Sequence, residues 1–456
     1  MSIDLKGLCD DALGIVFQYC DKASLFAMAR SNKLLYKVSD SPMAFQYLPV
    51  VRIDPDGIKQ LVKVPRGRHF SALRIENQDP LGTIFPISYE IGWVSYAIRY
   101  MTRLRALTLN NLKMDPLVDM FPLWDSFTNL PYLISLSLRR CQIGDEGMKA
   151  LAPKLRNLPS LEYLDLQCNN LHKEGGEALI EAIKSLTALS TLILSGNKID
   201  LGTLTSLAEA LSHLPNITSF HSGYYIHPGA TQYELEAGNE LIESITKIKG
   251  LRSLSLMDTR IHTINVSQLI MALPDLVALC LGDGRLKLEV EPMSYISQIE
   301  ILYLWSDLTA DGLAIILRTC PYLQGLSLRN PPYLGANITF KETLSNLETL
   351  GLNMSPDRFS EGRSQYVYKA FSGLPALQTL EIINSQWDWE SPLEDFLPLL
   401  ESYPCLTCLE LNNVLYRPED RDNLIRFLTE HPKIQCQVPE AQMPSDPDID
   451  RFLPLE

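Results

Sequence analysis

Three places in this chain bring together side chains whose types and spacing could do chemistry. Cys405-x-x-Cys408 has the short spacing of a redox pair or of half a zinc site. Cys408, however, falls inside an apolar strand phrase, LTCLEL, and no second cysteine pair or histidine cluster lies near it, so both read as ordinary repeat cysteines without a metal. His221, Tyr224, Tyr225, His227 and Tyr233 crowd the start of a 34-residue stretch from Ile217 to Gly250. No carboxylate or cysteine stands at ligand spacing among them, which leaves a protein-contact loop or an inert irregularity. Cys9-Asp10-Asp11 reads as a thiol next to a carboxylate by accident of composition. No Ser/His/Asp set, glycine-rich phosphate loop or paired metal motif occurs elsewhere, so no catalytic residue, metal or cofactor is expected and the chain is read as a non-enzyme.

Composition narrows the partners. The chain has 456 residues, 46% hydrophobic and 21% charged, as a folded protein has. Forty basic against fifty-four acidic residues leave a net charge of -14, which repels a phosphate backbone or an anionic lipid surface. Neither nucleic acid nor membrane is therefore expected as a partner. The start, MSIDLKGLCDD, has no basic segment followed by an apolar core, and no later stretch approaches the ~20 apolar residues of a spanning helix. Nine scattered cysteines suit a reducing compartment, and a cytoplasmic location is the expectation.

The elements that position everything else are repeated. The phrase L-x-x-L-x-L recurs at Leu104, Leu133, Leu161, Leu189, Leu251, Leu276, Ile299, Leu323, Leu347, Leu377 and Leu406, with looser copies at Phe70 and Ile217. Starts from Leu104 to Ile217 are spaced 29, 28, 28 and 28 residues, and those from Leu251 to Leu347 are spaced 25, 23, 24 and 24. Alternate residues of a strand face opposite ways, so the leucines of each phrase point into a core and the x positions to the other side. One repeat cannot bury its leucines alone, whereas stacked neighbours bury them along a continuous core.

These phrases and spacings resemble the leucine-rich repeat family, and the 28-residue units its ribonuclease-inhibitor type. Leu161 to Ala188 carries nearly the full pattern, with Asn169 in the asparagine position, Leu171 after it and an amphipathic helix following. The resemblance implies an α/β solenoid, a horseshoe with a parallel sheet on the concave face and helices on the convex face. Asn169 and Asn197 are expected to hydrogen-bond neighbouring backbone where each strand turns away, with Cys141 and Thr259 in the same position. The units of 23 to 25 residues are expected to replace a full helix by one or two turns, with curvature changing near Leu251.

Positions 3, 5 and 7 of each phrase are expected to face solvent on the concave side. Most are small and polar, among them Ser135, Ser137, Thr191, Ser195, Ser253 and Ser255. Ile301, Tyr303 and Trp305, beside Arg329 of the next repeat, stand apart. Aromatics with an arginine bury much area at low entropic cost and are what binding hot spots prefer, although Trp305 packed under a neighbouring loop would look the same in sequence. Tyr163, Tyr224, Tyr303, Trp305 and Arg329 are the expected target-binding residues. Trp387 and Trp389 lie just past their strand, on a rim.

The segment from Leu8 to Val38 precedes the repeats. Leu13, Val16, Phe17 and Cys20 form one apolar stripe of a helix, and Leu8, Ala12, Ile15 and Tyr19 form a second. A cap on the first repeat needs one buried face, whereas two apolar faces need two partners. A second helix follows Asp21-Lys22, and a third short one ends near Ser39-Asp40-Ser41-Pro42.

This arrangement resembles the F-box, a three-helix module that docks substrate receptors onto the Skp-type adaptor of cullin-based ubiquitin ligases. Leu8, Asp11, Leu13, Val16, Phe17 and Leu25 fit its pattern, and SNKLLY looks like its common ending. Cys9 stands where the family has proline, Ala12 and Cys20 where it has leucine, Ser24 for aspartate, Ser31 for valine and Leu35 for tryptophan. The resemblance implies adaptor-binding residues Leu8, Cys9, Leu13, Val16, Phe17 and Leu25, a cullin reached through the adaptor, and a protein target on the repeats. It fits a eukaryotic receptor or a pathogen effector that mimics one in the host cytoplasm. The expected organisation is an all-α F-box-like module over residues 1–45, the solenoid over 46–438 and an acidic, proline-rich tail over 439–456. A plain repeat scaffold or inhibitor with an N-terminal helical cap is the other reading.

Overall fold

The computed structural model describes residues 51–52, 72–76, 88–112, 120–223, 232–257, 261–332, 334, 338–353, 363–383, 396–412 and 418–436. The N-terminal segment with its six expected adaptor contacts, Thr259, Trp387, Trp389 and the tail lie outside these residues. The chain divides into two compact units: residues 1–227 with 243–250, and residues 228–242 with 251–456.

In the first unit the strands are β1 (Val51–Arg52), β2 (Ala72–Glu76), β3 (Ala106–Asn110), β4 (Ser135–Ser137), β5 (Tyr163–Asp165), β6 (Thr191–Ile193) and β7 (Ser219–Ser222). Each pairs in parallel with the next, and the repeat phrases stack in register: Leu107, Leu136, Leu164, Leu192 and Phe220 form one row. All five are fully buried. Burying one such side chain contributes about 1.5–3 kcal/mol, which is how a strand of three residues holds its place.

The connections are helical: α1 (Ser88–Ile98), α2 (Met120–Ser126), α3 (Gly144–Leu155), α4 (Lys173–Ile183) and α5 (Leu201–Ser212). Their apolar stripes close the core from the side opposite the x positions, with Met148, Leu151 and Leu155 of α3 and Leu179 and Ile183 of α4 fully buried. Helix starts are satisfied by side chains. Asp200 accepts from the Thr203 N–H at 3.0 Å, and Asp145 of one repeat accepts from the His172 and Gly175 N–H groups of the next at 2.8 and 3.0 Å. A carboxylate there also meets the positive end of the α4 dipole.

A ladder of side chains runs where the strands turn away. Asn197 Oδ1 accepts from the Asn169 and Leu171 N–H groups at 3.0 and 3.1 Å, while its Nδ2 donates to the carbonyls of Leu166 and Leu194 at 2.9 and 2.7 Å. Asn169 does the same one repeat earlier, accepting from the Cys141 N–H at 2.9 Å and donating to the Leu138 carbonyl at 2.7 Å. Cys141 takes the third rung, its thiol donating to the Leu109 carbonyl at 2.8 Å. Burial pushes this thiol up to about 12, so it stays protonated and able to donate. The residue before each rung adopts a left-handed backbone: φ is 57° at Arg140, 56° at Cys168 and 77° at Gly196.

In the second unit the strands are β8 (Ser253–Met257), β9 (Thr263–Asn265), β10 (Ala278–Glu289), β11 (Ile301–Asp307), β12 (Gly325–Arg329), β13 (Thr349–Asn353), β14 (Thr379–Ile383), β15 (Cys408–Asn412) and β16 (Gln435–Cys436). β8 pairs with β10, and from β10 each strand pairs in parallel with the next. β10 shifts register between Gly282 and Lys287, and its later part pairs with β9. Helix α6 (Gln232–Thr246) lies in the long repeat begun at Ile217.

The shorter repeats solve their crossings in different ways. Helix α7 (Val266–Ala272) has 7 residues, as two turns would. Helix α8 (Ala310–Thr319) has 10, a nearly full helix inside a short unit and longer than the spacing predicts. No helix forms over 290–298, and residues 341–346 make only turns. Farther on stand α9 (Arg363–Ala370), α10 (Phe396–Glu401) and α11 (Pro418–Glu430). Where helices are short, aromatic rings fill the core: Phe340 meets Phe371 at 5.2 Å, Tyr368 meets Phe396 at 5.5 Å, and the buried Tyr403 hydroxyl donates to the Phe371 carbonyl at 3.1 Å.

Candidate protein-binding faces

Each unit carries its own open strand face. In the first, Tyr163 is half-buried, and its phenol is raised by burial first and by the neighbouring Asp165 charge second, with Arg139 opposing. Asp165 stands at a position expected to face solvent, yet it is buried together with Ser137. The reason is local: Asp165 Oδ1 accepts from the Gln167 N–H at 2.9 Å, and the Ser137 hydroxyl lies 3.1 Å from Asp165 Oδ2 and 2.9 Å from Asn110 Oδ1. A carboxylate that bonds its own strand end folds down onto the sheet. In the same register row His221 follows Ile193, half-buried, with Ser219 Oγ 3.2 Å from Nε2. Burial lowers its pKa below the ordinary histidine value and Asp165 partly opposes this. The polar side chains Asn110, Ser137 and Asp165 on the face of Tyr163 thus bond to one another and to their own strand end.

The second unit is different. Ile301 and Tyr303 are each 39% exposed, in a sheet whose leucine rows are buried. Trp305 is half-buried, but its indole N–H donates to Ser327 Oγ at 3.2 Å and Arg329 stands 6.0 Å from the ring centroid. The ring is therefore held from the sheet surface itself, by the side chains of β12. Gly282 makes room for it, since a Cβ there would meet Trp305 Cβ at 2.6 Å. Several other x positions expected to be solvent-facing are buried: Gly282 and Ser327 lie against Trp305, Gly351 lies beside Glu381, and Asn353 stands between Arg329 and Ile383.

Of the expected target-binding residues, Tyr303, Trp305 and Arg329 come together on β11 and β12, and Tyr163 belongs to the other unit. Tyr224 lies outside the described residues, as do Tyr225 and His227, so the tyrosine-histidine cluster has no geometry to report. Two residues were missed as site members. Cys280 and Glu381 share a register row with Tyr303. Aligning the fifth positions of the phrases by eye would have found them.

Among the described residues the seven cysteines are all free thiols. Cys405 is exposed and Cys408 half-buried on β15, both free thiols. Burial pushes Cys280 up to about 11 and Cys320 up to about 12, away from the thiolate form a nucleophile needs. Among the described residues no group of three or more His, Cys, Asp or Glu side chains could hold a metal ion, and no helix is long and apolar enough to cross a membrane.

Comparison with known proteins agrees with the repeat geometry at one place. A family model described as a leucine-rich repeat matches residues 129–152 and 157–179, the repeats of β4 and β5. No curated protein matches the chain in sequence. Among solved structures, an internalin from Listeria monocytogenes is similar at 16% identity over 86% of this chain and 94% of that one, with a TM-score of 0.34, too low to carry any argument about the arrangement. The matched segments around β4 and β5 are thus leucine-rich repeats, and the strand phrases on either side stack in the same parallel way with helices or turns between them.

Proposed function

We propose that this chain is a non-catalytic protein-binding scaffold that acts as the substrate receptor of an SCF-type cullin ubiquitin ligase. The observation that carries the binding role is the exposed Ile301–Tyr303 pair beside Trp305 and Arg329, large side chains on a strand face where small polar ones would be cheaper to solvate. The repeats over 46–438 hold a protein target. Residues 1–45 dock the Skp-type adaptor, and through it cullin, by Leu8, Cys9, Leu13, Val16, Phe17 and Leu25. The two apolar lines that the sequence of Leu8–Cys20 would place on a helix support this reading, since a cap requires one. The receptor then works by effective concentration, bringing a target to a recruited enzyme, and no residue of this chain performs the transfer.

Affinity purification of the full chain from cells tests both halves. The adaptor is expected with the wild type and is expected to be lost with Leu13→Asp and Phe17→Asp. Target is expected to be lost with Tyr303→Ala and Trp305→Ala while the adaptor stays. No adaptor with the wild type sinks the receptor reading. The departures at Cys9 and Leu35 favour a second reading, a plain scaffold or inhibitor whose N-terminus only seals the first repeat. Deleting residues 1–45 would then loosen the first repeats without removing any adaptor contact.

A further inference from the structure

The fifth positions of successive phrases in the second unit form one row across the sheet: Cys280, Tyr303, Ser327, Gly351, Glu381 and Glu410. The third positions beside them are Ile301, Gly325, Thr349 and Thr379. β12 and β13 therefore lay small side chains between an aromatic strand, β11, and an acidic one, β14. Three interstrand spacings, about 14 Å in all, separate those two walls. A Cβ placed on Gly351 would meet Ser327 Oγ at 3.0 Å and Glu381 Oε2 at 3.5 Å, so Glu381 Oε2 lies against the glycine, while Oε1 accepts from Asn412 Nδ2 at 3.1 Å. The Tyr303 phenol is raised by burial first, then by the Cys280 thiol, then by Glu381, whose charge is felt across the intervening strands.

The charge on this face is one-sided. At the third, fifth and seventh positions from β11 to β15 the charged residues are Glu381 and Glu410, both in the row of Tyr303, against a single cation, Arg329. That cation is already seated over Trp305 at 6.0 Å, in the seventh-position row and not in the row of Tyr303 and Glu381. β12 and β13 are each paired on both sides, so a partner cannot add as a further strand and must be read through side chains.

We propose that this recess takes a lysine or arginine side chain from a segment of the partner protein. The aliphatic stem lies along Ile301 and Tyr303, and the cationic head sits between the Tyr303 ring and the Glu381 carboxylate. This rests on the reading of the second unit's face as a protein-binding surface, and adds the chemistry of the partner: a basic, part-apolar segment rather than an acidic or purely apolar one.

The test uses the full chain and three labelled Gly-Ser peptides that differ at one residue type: Leu-Arg pairs, Leu-citrulline pairs and Leu-Glu pairs, followed by fluorescence anisotropy. The Arg peptide is expected to bind at least about tenfold more tightly than its citrulline isostere and to weaken as salt is raised, with no binding of the Glu peptide. Glu381→Gln is expected to lower Arg-peptide affinity roughly fivefold while leaving the citrulline peptide unchanged, and Glu401→Gln, an exposed carboxylate at the end of α10, is expected to change neither. Because Glu381→Gln keeps the shape, its melting curve should match the wild type. Equal affinities for Arg and citrulline peptides, an unchanged ratio in Glu381→Gln, or no binding of any peptide up to about 1 mM overturns the proposal. If Tyr303→Ala still abolishes target capture in cells while the peptide ratio is flat, the binding face stands and its preference for a cation falls.

Discussion

The two units build the same strand phrase into unlike surfaces. In the first, β4, β5 and β6 have three residues each, and the ladder of Cys141, Asn169 and Asn197 turns the chain away directly after them. In the second, β11 has 7 residues and β12 to β15 have 5 each, so their seventh positions still belong to the sheet and the open face is wider. The ninth positions explain the contrast. Cys141, Asn169 and Asn197 stand there in the first unit, whereas Gly284, Asp307 and Pro331 stand there in the second. An asparagine amide can satisfy backbone donors and acceptors of two repeats at once, which none of those three can do in the same way. Regular turns make a stable, self-satisfied stack, and their loss leaves room for a face that presents Ile301, Tyr303 and Trp305.

The sharpest way to break this contrast is at the ladder. Asn197→Leu strands three buried backbone groups that its amide now satisfies, the Asn169 and Leu171 N–H groups and the Leu166 carbonyl, and should cost about 3–5 kcal/mol. Hydrogen exchange should show protection lost around β5 and β6 while β12 to β14 keep theirs; equal loss in both units would mean the ladder is not what sets the first apart. Next in size, Tyr303→Ala or Trp305→Ala should weaken capture of a target by about 2 kcal/mol, roughly thirtyfold, and Tyr163→Ala by less than about 1 kcal/mol, measured on the purified target. The reverse order would move the binding face to the first unit.

Smaller effects sharpen the turn itself. Gly196→Ala should cost about 1–2 kcal/mol, since φ is 77° and the new Cβ would lie 2.5 Å from Cys168 Sγ, whereas Cys168→Gly, at φ 56°, should gain about 0.5–1 kcal/mol in urea denaturation. Finally, His221 is held neutral by burial, with its pKa below the ordinary value of 6.5. The unfolded chain then binds more protons, so this contribution is complete above pH 6.5 and is lost as pH falls through the lowered value. The stability of the first unit should decline slightly with acidification, and His221→Gln should flatten that slope.

Much of this was legible beforehand, and the reasons differ by residue. Leu136, Leu164 and Leu192 declare their burial because a period of two along the strand and of 28 along the chain leaves them no other place. Asn169 and Asn197 declare their role because a buried amide at a strand end must find backbone partners. Asp165 and Ser137 do not, since the alternation that puts them outward says nothing of a carboxylate folding back to its own strand end. The length of α8 was equally hidden, because spacing counts residues and not the path they take. Tyr303 and Trp305 stood out by type alone, yet Glu381 and Cys280, 78 residues after and 23 before Tyr303, meet it only through the register of the strands between.

The sequence by itself thus determined the repeat, its parallel sheet and the residues that line its core, because periodic burial of leucine is a local rule applied many times. Only the tertiary structure decided which outward side chains stay exposed and which rows they share, because covering, register and the approach of a distant carboxylate depend on how neighbouring repeats lean on one another.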